Sequence, residues 1–118
     1  MALLAEQIIV EAGIAPSFAA AAGGGDTFAN DGDALLYVKN GGGGSVTVTI
    51  TAQAVSLTVP GRGAMTKANA GGAVAAGADR VFGPFPPASF NNASGQVAVT
   101  YSGVTSVTVA ALRLRQPT

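Results

Sequence analysis

Val46, Val48 and Ile50 alternate with Thr47, Thr49 and Thr51, so six consecutive residues put apolar side chains on one side and hydroxyls on the other. A side-chain period of two belongs to a strand buried on one face, and no helix reproduces it. The pattern returns at Val97, Val99 and Tyr101, and at Val55, Leu57 and Val59 ahead of a Pro60-Gly61 turn signal. Leu35 to Val38 forms a short apolar run of strand-forming residues. Arg80–Phe85 and Ala88–Phe90 read as short strands broken by Pro84, Pro86 and Pro87, which suit edges and bends. Turns about every ten residues between such runs favour an all-β fold, a single β-sandwich or a small barrel-like domain.

The final run, 106–114, is inconsistent with a single apolar face. Val107 and Val109 put it on odd positions, whereas Leu112 and Leu114 put it on even ones. Either this strand is buried on both sides or a bulge near Ala110-Ala111 reverses its register.

Upstream of residue 33 the chain changes character. Residues 2–12 contain good helix formers, with Leu4, Ile8, Ile9 and Ala12 spaced as one apolar stripe. Gly13 and Pro16 end that stretch. Two readings stay open for residues 1–17, a short helix or an extended arm. Residues 18–32, rich in alanine and glycine, read as a flexible linker. The β domain then occupies 33–118.

The 118 residues suit one domain. With no histidine, cysteine or tryptophan, the chain lacks the side chains of Cys/His zinc sites, thiol nucleophiles and Ser-His-Asp triads. Asp26, Asn30, Asp31 and Asp33 carry oxygens, but their spacing departs from a calcium loop and an Asx-type turn fits better. After Asp33 the only acid is Asp79, so paired-carboxylate catalysis has no second partner in the β domain. A pairing of a serine with Lys39 or Lys67 has no motif behind it. The chain is expected not to be an enzyme and to hold no cofactor or metal.

Asn40 to Ser45 looks like a permissive hairpin loop. Asn92-Ala93-Ser94 matches a glycosylation acceptor and reads as a loop. The run Gly83 to Pro87 reads as an internal turn that buries Phe82, Phe85 and Phe90.

The six basic and six acidic residues cancel, but not evenly. Glu6, Glu11, Asp26, Asp31 and Asp33 precede the first cation, Lys39. Arg62, Lys67, Arg80, Arg113 and Arg115 follow it, against Asp79 alone. The spread-out cations are too few for a nucleic-acid footprint. No apolar stretch is long enough to span a membrane, and the first residues lack the basic start of a signal peptide. A near-neutral surface suits assembly better than mutual repulsion.

Several runs resemble one family. Asp26-Thr27-Phe28-Ala29-Asn30-Asp31-Gly32, then Leu35 to Gly41, Ala76 to Phe85, Asn91 to Gly95 and Val107 to Leu114 are similar to head decoration, or cement, proteins of tailed bacteriophages. The likeness runs from residue 1 to 114. The Ala-rich stretch 19–22, the glycines 41–44 and the segment 61–73 depart from it. The resemblance implies a homo-oligomeric, often trimeric, β-sandwich-like subunit on the outer capsid surface that fastens neighbouring major capsid proteins. It implies no catalytic residues. On this reading Leu3, Leu4, Ile8, Ile9 and Ile14 contact the capsid or a neighbouring subunit, and the acidic N-terminal part docks on a basic patch in trans or on the shell. The alternatives are a phage tail or head–tail structural protein, and a carbohydrate- or surface-binding β-module. The last is poorly served by Tyr37 and Tyr101 as the only large polar aromatics.

Overall fold

The structure is a computed structural model that describes residues 2–9, 12–53, 57–59, 61, 63–65 and 69–113. Its elements are β1 (Ala2–Leu4), β2 (Glu6–Ile8), β3 (Ala19–Ala20), β4 (Asp26–Ala29), β5 (Ala34–Asn40), β6 (Val46–Ile50), β7 (Leu57–Val59), β8 (Gly63–Met65), β9 (Ala70–Val74), β10 (Asp79–Phe82), α1 (Pro87–Phe90), β11 (Gln96–Tyr101) and β12 (Val107–Arg113). The first sheet has the order β1-β4-β11-β6-β9. The second has the order β10-β5-β12-β2, with β3 also on β12, and β7 pairs with β8. Both large sheets are mixed: β1 runs parallel to β4 and β2 parallel to β12, while the other pairs are antiparallel. The fold is therefore all-β, compatible with a β-sandwich.

The core lies between the sheets, filled by the inward-facing residues of the strands, which alternate most plainly in β5 and β6. The first sheet contributes Phe28, Val48, Ile50, Val97 and Val99, and the second Leu36, Val38, Val107, Val109 and Ala111. Burying a valine- to phenylalanine-sized side chain is worth about 1.5–3 kcal/mol, so these ten carry much of the driving force. Phe85 packs at 5.8 Å from Phe28 and 5.7 Å from Phe90. With Phe82 they close one end, as expected of the Gly83–Pro87 turn.

The conflict of parity in the last strand is resolved without a bulge. Pairing with β5 is continuous from Val107 opposite Asn40 to Arg113 opposite Ala34. Ala110 and Leu112 face outward, yet both are buried, so this central strand is covered on both sides. Leu114 lies outside the described residues.

Four sequence expectations change. The helical alternative for 2–12 does not form over the described residues 2–9: residues 2–4 and 6–8 are extended and join one sheet each. Three-residue strands are too short to display a period, and Ala5 between them breaks what alternation there is. The linker reading of 18–32 also fails over Asp26–Ala29, which lies between β1 and β11 with Asp26, Thr27 and Phe28 buried. The Asn40–Ser45 loop is no hairpin, because β5 and β6 belong to different sheets. Residues 88–90 lie in α1, not in a strand: Pro87 starts the turn, and the Asn91 N–H closes it on the Pro87 carbonyl. Within 61–73, β8 and β9 are strands. Glu11, Val55, Arg62, Lys67 and Arg115 lie outside the described residues.

Candidate interaction surface

The five N-terminal apolar residues do not form one surface. In the first sheet, Leu3 stands opposite Thr27 and Leu4 opposite Phe28. Strand geometry then sends them to opposite faces. Leu4 enters the core at 7% exposure, while Leu3 remains 64% exposed on the outer side of an end strand. Leu4 is thus mainly a core residue, and what surface it keeps lies at the rim of a groove over β12. Ile8, Ile9 and Ile14 are half-buried. The Ile9 N–H donates to the Arg113 carbonyl at 2.8 Å, extending the β2–β12 pairing by one residue.

The acidic N-terminal part meets its cation within the chain. Arg113 Nη1 lies 3.3 Å from Glu6 Oε2, and Nη2 pairs with Asp31 Oδ2. The Arg113 and Glu6 side chains are only 17% and 18% exposed, so water screens this clasp less than an open surface pair. Of the expected docking in trans, these two charges are already used in cis.

The candidate calcium oxygens point in different directions. Asp26 is fully buried and faces the core, where its Oδ2 accepts from the Tyr101 hydroxyl at 2.6 Å and from the Ala22 N–H at 3.3 Å. Burial, reinforced by the Asp26 carboxylate, pushes the Tyr101 hydroxyl far above its ordinary pKa of 10.0. Asn30 accepts from the Gly32 N–H at 3.0 Å, the expected Asx turn. Its amide donates to the Phe85 carbonyl and to Asn91 Oδ1. Among the described residues no three acids gather as a metal site would need. Asn92 likewise folds its own turn, accepting from the Ser94 and Gln96 N–H groups.

The outer side of the second sheet carries a patch that sequence reasoning missed. Phe18 packs edge-on against Tyr37 with centroids 5.2 Å apart, and Lys39 Nζ lies 4.4 Å over the Phe18 ring. The Tyr37 hydroxyl donates to Asp79 Oδ2, and that bond raises the Tyr37 pKa. Val81, opposite Tyr37 in register, is 51% exposed. The signal was present in β5: Leu36 and Val38 alternate inward, so Leu35, Tyr37 and Lys39 share the outer face. Phe18, assigned to the linker, gave no such hint.

Next to this patch, a groove of about 330 Å³ runs between Leu4, Gln7 and Phe18 over the floor of β12. The Gln7 carboxamide spans from β2 to the incoming chain, donating to the Ser17 carbonyl at 2.7 Å and accepting its N–H at 2.8 Å. These surfaces offer apolar contact, ring faces and few charges. Neither tyrosine is a free stacking platform, since Tyr101 packs against the core and Tyr37 against Phe18. Comparison with models of protein families, with curated proteins and with solved structures finds no match to this chain.

Proposed function

We propose that this chain is a structural virion protein, a β-sandwich decoration or cement protein that binds the outer surface of a tailed-phage head and fastens neighbouring major capsid proteins. The reading rests on the resemblance of residues 26–32, 35–41, 76–85, 91–95 and 107–114, and is supported by an all-β fold with an exposed apolar end strand. The observation that carries it is Leu3, a leucine 64% exposed on the end strand of the first sheet. An apolar side chain beside an open strand edge suits strand addition, in which main-chain bonds supply affinity and side-chain seats supply specificity. One such contact is weak. In a trimer, linkage of three raises avidity about 10²–10⁴-fold over a single site.

The test is binding of the purified protein to assembled heads that lack it, imaged for occupancy. Removing residues 1–15 is a poor variant, because it also strips Leu4 from the core and β1 and β2 from the sheets. Leu3→Ser leaves those intact. Occupancy that falls in Leu3→Ser at unchanged melting temperature supports the reading; full occupancy counts against Leu3 as the contact. No binding of the unaltered chain to heads, with reproducible binding on a glycan array, favours the carbohydrate-binding alternative.

A further inference from the structure

The N-terminal strands divide from the rest of the molecule along a clean line. On one side stand residues 2–9: Leu4 in the core, Glu6 in the ion clasp, and the backbones of β1 and β2. On the other side stands a preformed seat. The edge of β4 receives β1 over Asp26–Phe28, and the edge of β12 receives β2 over Ala111–Arg113. Phe28 lies opposite Leu4, and Arg113 with Asp31 fixes Glu6. Both strands are three residues long, both end their sheets, and both run parallel to their neighbour.

The connection between arm and seat offers a hinge. Gly13 has a φ of +84° with open space where a side chain would be, and Pro16 follows it. Opening the arm therefore breaks the contacts of residues 2–9, the Gln7–Ser17 pair included, frees the edges of β4 and β12, and leaves the pairings among the other strands in place.

We infer that this seat accepts residues 2–9 of a second copy, so that the chain assembles by exchanging its N-terminal strands. The seat is complementary to this chain's own arm in shape, in backbone register and in charge. A second copy brings the identical arm, so every contact across the seat is remade in trans. Cis and exchanged forms then differ only in the path of the connection and in the entropy of association, the situation in which exchange is a low-cost route to assembly. A net charge of zero puts no long-range repulsion between copies. A short tether holds its own arm at an effective concentration in about the millimolar range, so exchange grows with protein concentration. The inference concerns the isolated protein and does not depend on the capsid reading.

The chain contains no cysteine, which makes the test direct. Leu3 and Thr27 are register partners on the outer face. Leu3→Cys and Thr27→Cys are made in separate chains, unfolded together, refolded at high concentration and oxidised. Exchange yields a covalent heterodimer at the mass of two chains, several-fold above a control mixture of Leu3→Cys with Ala29→Cys, two residues out of register. Heterodimer no greater than the control overturns the inference. Should Thr27→Cys fail to fold, the unaltered chain is refolded concentrated, diluted and weighed by light scattering. Exchange leaves an oligomer that decays slowly on dilution, because Leu4 must leave the core first. A monomer mass at every concentration, or an oligomer that dissociates at once, overturns it.

Discussion

The Tyr101 hydroxyl donates to Oδ2 of Asp26 across 2.6 Å, joining two strands' inner faces at the margin of the core. Asp26 has no solvent exposure, and its Oδ1 accepts no hydrogen bond among the described residues. Tyr101→Phe removes the better of the two donors to a buried carboxylate. It should cost about 1–3 kcal/mol, the penalty of an unsatisfied buried acceptor, read from urea denaturation midpoints.

The same pair gives an alkaline signature. The Tyr101 pKa is raised in the folded state above the unfolded value of 10.0, first by burial and then by Asp26. Between those two pKa values the folded chain holds a proton that the unfolded chain has released. Stability is therefore fully present below about pH 10 and falls as pH rises beyond it. Tyr37, raised by its bond to Asp79, acts in the same direction. Thermal melts above pH 10 should show this slope, weaker in Tyr101→Phe, and tyrosinate absorbance should appear late until the chain unfolds.

Arg113→Met strands two acids at once. With Arg113 and Glu6 mostly covered, the loss should lie between that of an open and a buried pair, about 1–3 kcal/mol. Hydrogen exchange should rise at Gln7, Ile8 and Ile9 before it rises in β5 or β11. Uniform protection across the chain would contradict the role of the clasp in holding the arm.

Asn40 is 1% exposed and ties the two sheets together where β5 hands over to β6. Its amide donates to the Gly44 and Val74 carbonyls, and its Oδ1 accepts from the Gly42 N–H. Asn40→Ala should destabilise by about 1–3 kcal/mol, mostly by orphaning the buried Val74 carbonyl. Asn40→Asp should be at least as harmful, since it replaces the donor with a charge.

Two glycine substitutions separate need from tolerance. A Cβ on Gly71 would fall 2.1 Å from the Val48 carbonyl oxygen, at a φ of +119°. Gly71→Ala should therefore disrupt the β6–β9 pairing at a cost of about 1–3 kcal/mol or more. A Cβ on Gly24 meets nothing within 4 Å, so Gly24→Ala should stay within about 0.5 kcal/mol of the parent.

Long strands with one buried face were legible from residue order alone. β6 and β11 lie where alternation put them, because burial on one side leaves a period of two, while β5 showed as an apolar run and β12, buried on both sides, as a run whose parity changes. Alternation carries no information on which sheet a strand joins, so the inter-sheet crossing at Asn40–Ser45 looked like a hairpin. β4 was hidden because Asp26 occupies an inward position that the pattern reserves for apolar residues. β9, Ala70–Val74, is alanine and glycine almost throughout and carries no strand signal. At the N-terminus, Leu4 and Ile8 mimicked a helical stripe although each faces a different strand partner. In the outer patch, Tyr37 and Lys39 were legible from the alternation of β5, whereas Phe18 reaches them from outside any strand, a contact that no local pattern contains.

The parallel pairing of β2 with β12 has a mechanical consequence. These are the first strand of the second sheet and the last strand among the described residues, side by side and pointing the same way. Tension that draws the two ends of the molecule apart slides one strand along the other. Their hydrogen bonds then bear the load together, where an antiparallel terminal pair would peel open one bond at a time. A pull on the leading segment loads β1 first and passes through Ala5 to β2, so part of it is borne by the first sheet. A chain pulled by its leading segment against β12 would resist stretching out of proportion to its modest size.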